Sequence, residues 1–94
     1  MNRLVIITTK GCEGCEIMKR IVSNAYLEAK VENTSFGCYD FKEQEVESLV
    51  KDNNIKDFPT TLFIKNNQII DTILGSLPKE DVINKIKDCF ENNQ

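Results

Sequence analysis

Leu4-Val5-Ile6-Ile7-Thr8-Thr9-Lys10-Gly11-Cys12-Glu13-Gly14-Cys15 is the stretch on which the fold turns. Its opening residues are consecutively apolar, the pattern of a strand covered on both faces, as in a central parallel strand. Lys10-Gly11 is a turn. From about Glu13 to Ala29 the apolar residues Ile17, Met18, Ile21, Val22 and Ala25 recur with a helical period and form one stripe, with Glu16, Lys19, Arg20 and Ser23 largely off it. A C-x-x-C at this junction puts Cys12 at a helix N-terminus. The free N–H groups and the positive end of the helix dipole there favour a thiolate over a thiol. A thiolate attacks disulfides and binds soft metals, so the motif points to redox chemistry first and metal binding second.

Outward from this core, Arg3 to Thr8 reads as the first strand and Glu32 to Tyr39 as a second, with Thr34, Phe36 and Cys38 on one face. Asp40 has the character of a helix N-cap, with Glu43 three residues on as its capping-box partner. Val46, Leu49 and Val50 supply that helix's buried side, and Asp52-Asn53-Asn54 ends it. Lys42, Glu43, Glu45 and Glu47 make a solvated face. Thr61 to Ile64 is a short buried strand, Asn66-Asn67 a tight turn and Gln68 to Leu74 the returning strand of a β-hairpin. Gly75 breaks it. Pro78 suits the first turn of a last helix whose stripe is Val82, Ile83, Ile86, Cys89 and Phe90. Glu91-Asn92-Asn93-Gln94 is a polar tail expected to fray. The expected order is β-α-β-α-β-β-α. The strand-helix-strand start implies parallel neighbours with a right-handed crossover, and the hairpin adds an antiparallel edge. The fold class is therefore α/β: a four-stranded mixed sheet with helices on both faces.

The chain has 94 residues and a net charge of −3, with a pI of about 4.9. That length fits a single domain spanning residues 1–94. A nucleic-acid surface would show a basic patch, and none is visible. The apolar runs are far shorter than a membrane span. Met1-Asn2-Arg3 leads straight into the first strand without a secretory pattern, so a reducing, cytoplasmic location is the expectation. Of the four cysteines, Cys38 and Cys89 sit in apolar patterns and read as small buried hydrophobes.

The C-x-x-C after the first strand coincides with Phe58-Pro59-Thr60 leading into the third, Pro59 following Cys15 by 44 residues. Together with the hairpin, Gly75 and the last helix, these motifs make the chain resemble the thioredoxin-like superfamily over essentially its whole length. It looks like a short form, starting at the central strand as glutaredoxins do, with a C-terminal half more like thioredoxin; Leu74-Gly75-Ser76-Leu77 is not the Gly-Gly-Asp-type turn of glutaredoxins. The resemblance implies a thioredoxin-like fold and a thiol-disulfide oxidoreductase. Cys12 would be the attacking thiolate. Cys15, one helical turn on and on the same face, would be the resolving thiol, and the Cys12–Cys15 disulfide the redox centre with no other cofactor. Pro59 would be cis, facing the cysteines without an N–H to disturb them. Phe58, Pro59, Thr60 and Gly75 would bind substrate, the Phe58 backbone pairing with an extended peptide; the Phe58 side chain belongs either to the core or to an apolar rim around Cys12, the rim being the slightly favoured reading. The expected partners are a disulfide-containing protein and an unidentified reductant, and nothing demands more than a monomer.

Three departures from the family stand out. The dipeptide between the cysteines is Glu-Gly, and Lys10-Gly11 replaces the Trp that precedes them elsewhere. Lys10 and Glu13 read as solvated loop residues. Ile6 stands where thioredoxins keep a buried Asp beneath the second cysteine. The usual proton acceptor for Cys15 is thus missing, and water or a nearby carboxylate such as Glu13 would have to serve.

Two other classes compete. Gly11-Cys12-Glu13-Gly14-Cys15 also looks like the Cu(I)-binding loop of heavy-metal-associated domains, since soft thiolates suit that ion. Those domains end in a strand, whereas this chain ends in an amphipathic helix. A zinc site from all four cysteines is weaker still, because Cys38 and Cys89 are not closely spaced. A non-catalytic thioredoxin-like binding domain is the third reading, and the presence of both cysteines argues against it.

Overall fold

In a computed structural model that describes residues 1–91, strand β1 (Asn2–Thr8) lies inside the sheet and is paired along both edges. It is followed by α1 (Glu13–Ala29), β2 (Thr34–Asp40), a 3₁₀ turn (Gln44–Val46) running into α2 (Glu47–Asp52), β3 (Thr60–Lys65), β4 (Gln68–Leu74) and α3 (Lys79–Phe90). The sheet order is β2-β1-β3-β4. β1 runs parallel to β2 and antiparallel to β3, and β3 pairs antiparallel with β4. This is the thioredoxin fold with the expected element order. Asn92-Asn93-Gln94, most of the expected tail, lies outside the described residues.

The consecutive apolar residues of β1 divide between two layers because side chains alternate across a strand. Leu4 and Ile6 pack with Phe63 of β3, with Met18, Val22, Ala25 and Ala29 of α1, and with Val82, Ile86 and Phe90 of α3. The Phe63 and Phe90 rings meet at 5.8 Å between centroids. Val5 and Ile7 point the other way, packing with Leu62, Ile64 and Val46. Helices α1 and α3 thus cover one face and the 3₁₀–α2 segment the other. Two asparagines with positive φ, Asn66 and Asn67, close the β3–β4 hairpin, as a two-residue turn matching strand twist requires. Lys30 takes the left-handed conformation that stops α1.

Three local expectations need correcting. Asp40 is not a helix N-cap: it is the last residue of β2, paired with Thr8. Its carboxylate accepts from the Lys42 N–H at 2.9 Å, while Glu43 reaches back to the Asp40 N–H at 2.8 Å. The same side chains therefore build a turn, and Glu43 becomes the N-cap of the 3₁₀ segment. Pairing with β1 keeps Asp40 extended and overrides the local helix signal. Ile17 is not core. It is 55% exposed, and the buried stripe of α1 runs through Cys15, Met18, Val22, Ala25 and Ala29 instead. Helical spacing admits either stripe; contact with the sheet selects one. Pro78 sits one position earlier than expected, as the N-cap of α3, where its carbonyl accepts from the Asp81 and Val82 N–H groups.

The adjacent residues Ile17 and Met18 therefore test the orientation of α1. Met18→Ala is expected to cost about 2–5 kcal/mol as a buried truncation. Ile17→Ala should stay within about 0.5 kcal/mol, as exposed positions usually do. Urea denaturation of the reduced protein measures both.

Candidate functional site

The turn between β1 and α1 sets the position of both motif cysteines. Gly11 carries a φ of +70°, which a residue with a Cβ adopts at a cost, and Cys12 follows in extended geometry as the N-cap of α1. The Cys12 Sγ accepts a hydrogen bond from the Cys15 N–H at 3.1 Å. The Cys12 carbonyl accepts from the Glu16 N–H at 3.3 Å. Negative charge on the Cys12 sulfur thus meets an N–H donor and the positive end of a helix together. Cys12 is partly exposed, Cys15 is wholly buried, and both thiols are free. One sulfur is accessible from outside and the other is held one turn beneath it.

That burial has an electrostatic consequence. Desolvation, the hydrogen bond with Cys12 and the charges of Cys12 and Glu16 push the Cys15 thiol up to about 11, against a smaller opposing effect of a backbone hydrogen bond from Thr9. Glu13 is exposed on the outside of the first turn. The carboxylate whose charge bears on Cys15 is Glu16, and it disfavours the thiolate.

The Phe58–Pro59 peptide is cis. A Cβ placed on Gly14 would lie 3.9 Å from Pro59 Cδ, so the motif turn and the proline face each other with room for a methyl group between them. Gly75, with a φ of +78°, donates its N–H to the Pro59 carbonyl at 2.9 Å. Cys12, Cys15, Pro59 and Gly75 are thereby gathered at one end of the sheet. Strand pairing begins only at Thr60, which leaves the Phe58 backbone outside the ladder.

Two expected side chains are employed elsewhere. Thr60 is buried and its hydroxyl donates to the Asp57 carbonyl, so it braces the loop before Pro59 from within. Phe58 is half-buried against the second apolar layer, its ring 5.1 Å from that of Phe41; it packs on the sheet rather than forming a rim around Cys12. Leu74, just before Gly75, is 69% exposed, and sequence reading passed over it as a strand residue. The signal for it was its place at the last position of an edge strand. Cys38 and Cys89 are half-buried against the first layer, and burial pushes both thiols up. Among the described residues, no group of three or more His, Cys, Asp or Glu side chains could hold a metal ion.

A partly exposed N-cap cysteine, a buried partner one turn on and a facing cis-proline define the thioredoxin class of redox site. The family model for thioredoxin matches residues 2–88, and the chain belongs to the thioredoxin family. Among solved structures it is similar to a thioredoxin of Malassezia sympodialis (Mala s 13), with 22% identity over 94% of this chain and 74% of that one and a TM-score of 0.73. It is also similar to thioredoxin-2 of the malaria parasite, with 18% identity over 94% of this chain and 82% of that one and a TM-score of 0.77. At these identities the likeness is one of fold. No curated protein matches the chain at a significant level.

The raised Cys15 thiol makes stability depend on pH. In the unfolded chain Cys15 ionises near its ordinary value of 9.0, but in the folded protein only near 11. Above about pH 9 the unfolded state binds fewer protons, so stability falls with rising pH and this contribution is gone above about 11. The loss attributable to Cys15 is on the order of 2–3 kcal/mol. Cys38 and Cys89 act in the same direction. Chemical denaturation of reduced wild type and Cys15→Ala from pH 8 to 11 should show the steeper decline in wild type.

Proposed function

We propose that this protein is a small thiol-disulfide oxidoreductase that reduces protein disulfides through a mixed disulfide on Cys12. The observation that carries this reading is the pairing of an accessible Cys12 sulfur, hydrogen-bonded at a helix N-terminus, with the buried Cys15 beneath it. Membership of the thioredoxin family supports the general class of activity; the protein substrate and the direction are the finer part of the proposal.

The Cys12 thiolate attacks one sulfur of the substrate disulfide. The substrate S–S bond breaks, its electron pair leaves with the other substrate sulfur, and a Cys12–substrate disulfide forms. Cys15 then gives up its proton and attacks the Cys12 sulfur. The Cys12–Cys15 bond forms as the second substrate sulfur leaves, so two electrons pass to the substrate. A dithiol reductant reverses the cycle. The unpaired backbone of Phe58 suits an extended substrate segment docking by strand addition, with the exposed Leu74 and Ile17 side chains as apolar contacts. The reading includes a reducing compartment, in which such a dithiol is regenerated, and a monomer.

A dithiothreitol-coupled insulin reduction assay on metal-free protein tests this. Wild type should turn over and Cys12→Ser should fall to background. Cys15→Ser should form the first adduct and retain the substrate chain as a mixed disulfide on a non-reducing gel. Background turnover by folded wild type, or undiminished turnover by Cys12→Ser, would sink the reading.

A further inference from the structure

The buried layer between α1 and the sheet contains a hydroxyl that packing does not explain. Thr61 is 0% exposed, and among the described residues its Oγ1 has no hydrogen-bond partner. It stands in β3 directly opposite Ile6 of β1 and Ile73 of β4. Ile6, Ile73 and Phe63, two residues further along β3, all belong to the apolar layer under α1 and α3. Residues opposite one another or two apart share a face, so the Thr61 side chain enters that same layer. A valine would fill the space without a lone buried hydroxyl, which is destabilising while it has no partner.

Two contacts fix the first turn of α1 over this end of the sheet. Met18 packs in the same layer as Ile6. Gly14 abuts Pro59, two residues before Thr61. The buried Cys15 lies between Gly14 and Met18 and on the Met18 face of the helix. One turn before Met18, it is the buried residue of α1 nearest the end of the sheet where Ile6 and Thr61 pair.

We propose that Thr61 is the positioning residue for the resolving step: its hydroxyl donates, directly or across one water, to the Cys15 sulfur as that sulfur becomes a thiolate. The inference rests on the dithiol reading above. In the step it serves, Cys15 Sγ–H and the Cys12–substrate disulfide become the Cys12–Cys15 disulfide and a free substrate thiol, on which the Cys15 proton ends. The negative charge that develops on Cys15 stays on its sulfur and is met there by a neutral donor, in place of a buried carboxylate that would take the proton. The titratable groups bearing on Cys15 are Cys12 and Glu16 of α1, and both disfavour its ionisation. The Thr9 backbone favours it. β1 and β3 present Ile6 and Thr61, which do not titrate, and β2 places Cys38 beside Ile6 in register.

Stopped-flow reaction of the reduced 94-residue chain with one equivalent of 5,5′-dithiobis(2-nitrobenzoate) separates the two steps. The first thionitrobenzoate is released by attack of Cys12, the second by attack of Cys15 on the Cys12 adduct, and Cys15→Ser supplies the baseline for the second. Thr61→Val is expected to slow the second release about tenfold and to move its pH profile upward. The first release should stay within about twofold, and Thr61→Ser should keep the wild-type second phase. A role in packing alone predicts the reverse, because valine preserves the volume and serine does not. A normal second phase and pH profile in folded Thr61→Val would overturn the proposal, as would a Thr61→Ser second phase as slow as that of Thr61→Val. Absence of a second release from wild type would overturn the dithiol reading itself and this inference with it.

Discussion

The hydrogen bond from the Cys15 N–H to the Cys12 sulfur at 3.1 Å exists only because α1 begins where it does. Cys15 is the third residue of the helix, and its N–H is one of those that a helix leaves without an internal partner. The N-cap normally offers an oxygen to such a group; here it offers a sulfur. The same geometry that ends the helix neatly also supplies the donor and the dipole that a thiolate needs. Moving the helix start by one residue would make another residue the N-cap and take the Cys12 sulfur away from the Cys15 N–H.

The rest of the fold holds that helix start in place. β1 is paired on both edges, so its C-terminal end is a fixed platform for the turn at Gly11. Met18, Val22 and Ala25 anchor α1 across the sheet through Leu4, Ile6 and Phe63. From the other side the Gly75 N–H holds the Pro59 carbonyl, and Thr60 ties the preceding loop to Asp57. Pro59 faces the motif turn at Gly14, where a Cβ would meet its ring at ordinary contact distance. Between these supports the Cys15 thiol is buried, and that burial, with the hydrogen bond to Cys12, pushes its ionisation up.

Much of this was legible in the chain itself. The consecutive apolar run of β1, the helical spacing after Gly14 and the asparagine pair at 66–67 each allow essentially one local structure, and their order leaves few ways to assemble a sheet. The Cys12–Cys15 pair was readable as a candidate site because what marks it is local, a helix N-terminus and a spacing of three. The misread positions share a cause. Asp40 has the side chains of a helix cap, but its strand pairing with Thr8 wins. Ile17 fits a helical stripe, but the stripe that meets the sheet is centred on Met18.

The sequence by itself determined the element order, the C-x-x-C at the start of α1 and the proline that precedes β3, because each is encoded within a few residues of chain. Only the tertiary structure decided which cysteine is buried, that Thr60 and Phe58 turn inward, that Leu74 stands exposed beside Gly75, and that a hydroxyl without a partner among the described residues lies opposite Ile6. Those properties belong to pairs of residues distant in the chain. Burial, desolvation and the lack of a hydrogen-bond partner are set by what the sheet and helices bring alongside a residue, and a local pattern contains no record of that.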